Sequence, residues 1–543
     1  MLRQHSQTHH TAFDYDVMGR LTQSHTSSPN HIIKQAFYRY DKKGQLTQLN
    51  TSTRLGQQTR NVPMGQAHPN QAQRFNRTHQ YIYDKVGRLT EHKLTDHQAH
   101  TGHTEVFGFD PASNRVPLPN ANAQAQQNTQ NKQEQRHTLT GIHPKTKRPT
   151  SLISQNKQIS YTYDSHGNIK TKTETPIDKQ GNQIAQSQNG LVGYRKSIEF
   201  SYNSNNELAK TLTLEDTGLT ITKTTTQYHY DAFGRRIAKN SKVERLNKLN
   251  QNGQLVRYPT TLLHLSKTQK TQHQTTLMLW EGNRQLQEYT DKHIFTTIYD
   301  QDSFEPVSRI VQARNTIESD KTQETFKIYH YHNNHLGTPQ ELTDENGKVV
   351  WLGYDYAWGG SYQSYYKEKS LNNCAILEHE LQPIRFQGQS LDIETGLHYN
   401  RFRYYDSDVG MFISRDPIGL LGGNNVFAYA PNPIGWVDPL GLKKKISFGL
   451  FGDHARRHGN GLNPTQYRIV AEKHLHCSQI KVKFRHNKMT KLAHITKVGE
   501  DLFVFTSSNL SKTRIYTHMQ EGVNSKYLQN IGITLPKKLS INC

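Results

Sequence analysis

Two short stretches carry the same phrase: Asp416-Pro417-Ile418-Gly419-Leu420 and, 22 residues later, Asp438-Pro439-Leu440-Gly441-Leu442. Asp-Pro opens a turn and Gly closes one, so a pair of tight turns accounts for the spacing. Paired carboxylates permit a second reading. Two acids held close cannot both ionise, so one serves as base toward water while the other protonates a carbonyl or a departing amide, as in aspartic proteases. Arg415 adjoins the first acid and is a candidate to hold one carboxylate charged.

The second phrase is followed at once by Lys443-Lys444-Lys445 and a histidine-rich segment. Residues 443–543 hold 18 Lys or Arg against 5 Asp or Glu, so +13 of the chain's +22 charge sits in this tail, along with seven His. Cleaving an RNA phosphodiester through its 2′-hydroxyl needs a base, an acid and cations to hold the developing phosphate charge. Histidine suits the first two roles because its pKa lies near neutrality. Lys and Arg supply the third. A basic patch without catalysis would show the same charge. His454 and His458 are four apart and share a face if helical. The zincin pattern requires Glu after the first His, where this chain has Ala455, and no later carboxylate cluster replaces it. Cys477, beside His474 and His476, reads as a structural or incidental thiol, with a catalytic Cys/His pair as the weaker alternative, and the sequence calls for no metal and no cofactor.

Elements to position these groups are legible around them. In the tail, Asn463-Pro464-Thr465 predicts a helix start before Gln466–Leu475. Strand-like runs follow at 480–484, 493–498, 501–506 and 513–518, giving a small α+β domain. Upstream, a phrase recurs without fixed period: aromatic-x-Tyr-Asp-x-x-Gly, then a polar residue and usually Leu or Ile. It reads Phe13-Asp14-Tyr15-Asp16-Val17-Met18-Gly19-Arg20-Leu21, and it returns around Asp41, Asp84, Asp164 and Asp231, with degenerate copies at Asp110 and Asn203. Alternating aromatics place rings on one sheet face. Asp begins a tight turn, Gly supplies positive φ, and the next apolar residue starts the returning strand. Such units stack into a quasi-one-dimensional sheet.

Composition agrees. In 543 residues, enough for two to four domains, only 33% are hydrophobic and Tyr (28) outnumbers Phe (19), which suits open β-structure with one wet face. Mean hydropathy is −0.86. Cys374, Cys477 and Cys543 follow no disulfide or metal-knuckle spacing. No apolar run approaches the ~18–20 residues that span a bilayer. The first residues lack the apolar stretch of a Sec-type signal, so export is expected by another route. The chain enters a repeat by Phe13, as expected of the C-terminal piece of a longer protein.

The recurring phrase resembles the YD repeat of the bacterial Rhs proteins. The match continues through Tyr329–Thr343 and is strongest at Arg385-Phe386-Gln387-Gly388-Gln389, Glu394–Asp406 and Phe412–Leu420, which resemble the Rhs-associated core. The resemblance implies a mainly β fold: a YD-repeat β-strip forming a partial shell over 1–375, the core with a self-cleavage motif over 376–442, and a C-terminal toxin domain over 443–543. It further implies autoproteolysis after the second Asp-Pro-x-Gly-Leu, with Asp416 and Asp438 as the acid/base pair and Leu442–Lys443 as the scissile bond.

The tail's order of Asp-His-Ala-x-x-His, a short helix and a sheet ending in Arg514-Ile515-Tyr516-Thr517 resembles the BECR group of small ribonuclease toxins. On that resemblance His454 and His458 are the base and acid, Lys497, Arg514 and Thr517 bind phosphate, and His518 is a reserve acid. The expected partners are RNA, an acidic immunity protein complementary to the +13 charge, and a secretion machine of the type VI class. Delivery into target cells, without stable membrane insertion, is the expected localisation. Two competing readings remain: a DNase or other nucleic-acid-directed toxin, and an adhesive or structural YD-repeat protein with an inactive tail.

Overall fold

In the computed structural model, residues 10–442 are described except for breaks between strands, the longest being 56–72, 119–133, 178–194, 250–263 and 315–325. Before residue 10 the short strand Leu2–His5 is described, and after 446 the backbone of five strands. The protein is nearly all β. Two compact units emerge: one of Met1–Asp14 and Leu21–Lys443, the other of Tyr15–Arg20 and Lys444–Cys543.

The first unit is a meander. Nine strands form one sheet and seventeen form a second, with most neighbours in space also neighbours in sequence. The Tyr-Asp phrase shows why. In the turn after Gln73–Tyr83, Asp84 Oδ1 accepts the N–H groups of Val86 (3.0 Å) and Arg88 (2.9 Å), while Arg88 Nε donates to Oδ2 (2.6 Å). Gly87 N–H donates to the Asp84 carbonyl at 3.1 Å with φ at +89°. Asp16 and Asp231 repeat the arrangement with Arg20 and Arg235. Burial pushes these three carboxyls up, but the hydrogen bonds outweigh it and hold all three below the usual carboxylate range. In the degenerate copy, Asn203 takes the place of Asp and Asn206 adopts φ +62° in place of Gly.

The preceding Tyr has its own task. The hairpins at Tyr40, Tyr83, Tyr163, Tyr202 and Tyr230 carry a register shift at that residue, as at Ile82/Tyr83 and His229/Tyr230. Its hydroxyl then reaches back to a carbonyl at the start of an earlier strand: Tyr83 to Leu46 (2.7 Å), Tyr202 to Ile169 (2.8 Å) and Tyr230 to Leu208 (2.8 Å). Phe would fill the space but leave that buried carbonyl with one donor fewer, which explains the preference for Tyr.

Residues 376–442 pack on the buried face of the second sheet. A short helix, Glu378–Leu381, leads into four small strands, Ser390–Asp392, Leu397–Asn400, Arg403–Asp406 and Met411–Phe412. Leu397, Tyr399, Tyr404, Met411 and Ile413 share one apolar cluster with Ile159, Ile198, Phe200 and Tyr228 of the strip. Buried ion pairs join the same surfaces. Arg236 meets Asp392 at 3.0 Å, Lys239 meets Glu394 at 2.6 Å, and Lys172 bridges Asp406 (2.9 Å) and Asp408 (2.6 Å). Tyr228 and Thr395 each donate to Asp392 Oδ2 at 2.8 Å, so its lone pairs are filled as burial demands.

Of the second unit, Ile480–His486, Met489–Val498, Asp501–Ser508 and Arg514–Glu521 form an antiparallel sheet, which matches the four expected strands. Ser447–Phe448 adds a parallel edge beside Arg514–Glu521. The helix expected over 466–475 lies outside the described residues.

Removing one partner of a fully buried pair strands the other charge. Asp392→Ala is therefore expected to cost about 3–5 kcal/mol in denaturant unfolding. Tyr202→Phe, which deletes a single hydroxyl bond, is expected to cost about 1 kcal/mol.

Candidate functional site: two aspartates on one buried arginine

The seam is assembled by a hairpin of the core. Leu397–Asn400 pairs with Arg403–Asp406 in a register that sets Asn400 opposite Arg403, leaving Arg401 and Phe402 as the whole loop. Arg401 takes φ +59°, a conformation L-residues rarely hold without support. Its guanidinium supplies that support by donating to the carbonyls of Gly234 and Phe233, both at 2.7 Å, and to Asn283 Oδ1 at 3.0 Å. The loop is thereby pinned to a Tyr-Asp turn of the strip.

Arg403 occupies the centre. Its Nη2 donates to Asp416 Oδ2 at 3.0 Å and lies 3.8 Å from Asp438 Oδ2. Nη1 donates to the Val426 carbonyl at 2.9 Å, Nε donates to the Gly441 carbonyl, and the guanidinium sits 3.6 Å over the Phe412 ring. The side chain is 0% exposed. Burial pushes its pKa down to about 10 against the attraction of Asp416 and Asp438, so it stays cationic at neutral pH.

The expectation of turns at the Asp-Pro-x-Gly-Leu phrases holds. Each is a turn: Gly419 N–H donates to the Asp416 carbonyl (2.9 Å) and Gly441 N–H to the Asp438 carbonyl (3.2 Å). The two turns also bring both carboxylates to one cation. Asp438 is further held through its backbone. Its carbonyl accepts Asn400 Nδ2 at 2.9 Å, and its N–H donates to the Tyr429 hydroxyl at 3.2 Å. Burial, then the Asp438 charge, pushes the Tyr429 phenol up. Behind Asn400, a buried chain runs from Gln389 Nε2 (2.9 Å to Asn400 Oδ1) to His398, 3.0 Å from Gln389 Oε1. Leu442 N–H donates to Asp438 Oδ1 at 3.0 Å, and Phe402 N–H to the Leu440 carbonyl at 3.3 Å. The residue before the expected cut is thus tied to the second carboxylate.

The cation differs from the expected one. Arg415 is exposed, and its backbone N–H donates to Asn168 Oδ1 at 3.4 Å. Adjacent residues in extended chain point to opposite sides, so with Asp416 facing inward Arg415 faces solvent. Asn400 and Arg403 arrive from the two strands of the core hairpin and Tyr429 from a loop, so none adjoins Asp416 or Asp438 in sequence. The signal for Asn400 and Arg403 was the dense polar–aromatic run from Tyr399 to Tyr405.

Lys443, His454 and His458 lie outside the described residues. The backbone register separates the remaining tail candidates. Lys497 pairs with Leu502, which pairs in turn with Glu521, four positions along the strand from Thr517. Arg514 is at the opposite end of that strand, level with Ser447. Thr517 and His518 are consecutive, paired with Thr506 and Phe505. The register therefore brings Thr517 and His518 to one stretch of strand but leaves Lys497 at the far end of the sheet from Arg514.

A model of the Rhs protein family matches residues 328–364. Over 300 residues the chain is 34% identical to double-stranded DNA deaminase toxin A of Burkholderia cenocepacia, covering 54% of this chain and 18% of that protein. It is 33% identical over 242 residues to toxin protein Tse5 of Pseudomonas aeruginosa, covering 41% and 16%. It is 28% identical over 315 residues to a Dickeya dadantii protein named "Probable deoxyribonuclease RhsA", covering 57% and 17%. The chain spans less than a fifth of the length of each of these relatives.

Gly388 approaches the seam so closely that an added Cβ would stand 2.0 Å from the Pro439 carbonyl oxygen, whereas at Gly396, also at positive φ, it would meet nothing within 4 Å. Gly388→Ala is therefore expected to destabilise the protein by at least about 1 kcal/mol more than Gly396→Ala in denaturant unfolding. The repeated Tyr-Asp turns, the core that packs on them, the family match over residues 328–364 and these relatives together make the chain similar to the Rhs proteins over the part it shares with them.

Proposed function

We propose that the core cuts its own chain at Leu442–Lys443 and so frees residues 443–543 as a nucleic-acid-directed toxin, a metal-independent ribonuclease. The observation that carries the first half is the convergence of Asp416 and Asp438 on buried Arg403, with Leu442 N–H held by Asp438. Asp416, at hydrogen-bond distance from the guanidinium, takes a proton from the attacking water. The water oxygen bonds to the Leu442 carbonyl carbon. As the C–N bond breaks, Asp438 delivers its proton to the departing Lys443 nitrogen, leaving a carboxyl on Leu442 and a new amino terminus on Lys443. Arg403 and Asn400, by holding the Gly441 and Asp438 carbonyls, keep the chain from shifting during the step.

The cargo's class rests on its charge and on the company the chain keeps. The +13 surplus suits a polyanionic substrate. Two of the three relatives above are named for reactions on DNA. Those names favour a DNA-directed cargo as the second reading. The ribonuclease reading is drawn from the tail's own residues: His454 and His458 as base and acid, Lys497, Arg514 and Thr517 on phosphate, and His518 in reserve. In this scheme a secretion machine delivers the protein to target cells, and a small acidic immunity protein protects the producer. Among the described residues no helix is long and apolar enough to cross a membrane.

Purified wild-type chain is expected to run as two fragments on a denaturing gel, the smaller beginning at Lys443 by N-terminal sequencing. Asp416→Asn and Asp438→Asn are each expected to slow the cut by about 10²–10⁴-fold and leave one band. Two bands from Asp438→Asn at the wild-type rate would sink the self-cleavage reading. Expressed alone, residues 443–543 are expected to arrest growth with degraded tRNA or rRNA. Nicked DNA with intact RNA selects the second reading instead, and no toxicity overturns both.

A further inference from the structure

In the first sheet, three side chains of metal-ligand chemistry converge far from the seam in sequence. His92 lies on the strand Leu89–Asp96, and His103 and Glu105 on its neighbour Thr101–Val106. The register sets His92 directly opposite Glu105 and Leu94 opposite His103. Side chains two apart on a strand share a face, so all three point to the same side. They are buried, at 1%, 1% and 0% exposure, and their candidate ligand atoms lie within 4.8 Å of one another.

We propose that His92, His103 and Glu105 form a structural site for a divalent cation of the zinc class. The donor set of two imidazoles and one carboxylate matches that ion, whose protein ligands stand about 2.0–2.2 Å from the metal. Glu105 Oε2 lies 2.8 Å from His92 Nδ1 and 3.8 Å from His103 Nε2. The second distance is too long for a hydrogen bond and near the separation of two ligands on one tetrahedral ion. The surroundings already orient the ligands. His92 Nε2 is 3.0 Å from His79 Nδ1, so the nitrogen turned toward the other two ligands is Nδ1, now 2.8 Å from Glu105 Oε2, which also accepts the Ala357 N–H at 2.8 Å. The His79 and Tyr81 rings stack on His92, with centroids 5.3 and 5.0 Å away. His103 packs edge-on to Tyr356 at 5.0 Å.

The position gives the ion a mechanical task. Ala357 and Tyr356 belong to the turn that closes Val349–Asp355 onto Ser361–Tyr366 at the far end of the second sheet. A cation held by His92, His103 and Glu105 staples two strands of the first sheet under that turn. His79 is then a positioning residue: it fixes the tautomer of His92 without touching the ion.

The test uses the full chain, stripped with chelator and titrated with Zn²⁺. One tightly bound ion is expected at this site, with Tm rising by about 5 °C at a hundredfold excess over Kd. Crystals of the zinc-loaded protein are expected to show an anomalous-difference peak among the three side chains. His103→Ala and Glu105→Gln are expected to lose that ion. His79→Ala is expected to keep it with about 10–100-fold weaker affinity, and the exposed His229→Ala to leave it unchanged. Where a variant fails to fold, the wild-type map decides. No peak there, a peak only on other histidines, or retention of this ion by folded His103→Ala overturns the proposal.

Discussion

A carboxylate taken partly or wholly out of water must find donors, and most of this structure is arranged around meeting that demand. In every full Tyr-Asp hairpin the aspartate accepts the N–H groups two and four residues on, and wherever Arg follows the glycine the guanidinium closes the other oxygen. The turn is therefore specified by a side chain rather than by loop length alone. The strand that leaves it has one available register, and the tyrosine hydroxyl ties that strand to an earlier one. A sheet of seventeen strands can grow this way without long-range instructions, because each added hairpin settles its own geometry.

The same demand operates between strip and core, with the partners now far apart in sequence. Arg236, Lys239 and Lys172 would be uncompensated cations on the buried face of the strip. Asp392, Glu394, Asp406 and Asp408 of the core meet them. Breaking such pairs from one side is costly, and strip and core belong to one compact unit. Arg403 extends the logic to the seam, where one cation answers two carboxylates and the backbone at Gly441 besides.

What the sequence disclosed follows from range. The hairpins were legible because their determinants, Tyr, Asp, Gly and the returning apolar residue, sit within a few positions of one another. The tail's four strands were legible from alternation for the same reason. Asp416 and Asp438 could be paired because their phrases repeat. Their shared cation could not: Arg403 looks like one of several arginines in an aromatic run until the hairpin register turns it inward and leaves Arg415 outside. His92, His103 and Glu105 carry no motif spacing either. They meet because strand pairing sets His92 against Glu105, a fact held in the register and not in the local string.

Gly388 has a further consequence. The seam residues 438–442 rest against a backbone that only a glycine can bring so near, and they are held by Asn400, Arg403 and Tyr429, each from another part of the core. None of these contacts exists in a chain whose core has not closed. On the proposed chemistry, the cut is therefore a proofreading step: a half-made or misfolded molecule keeps its cargo tethered, and severance certifies that the strip and core around it are complete.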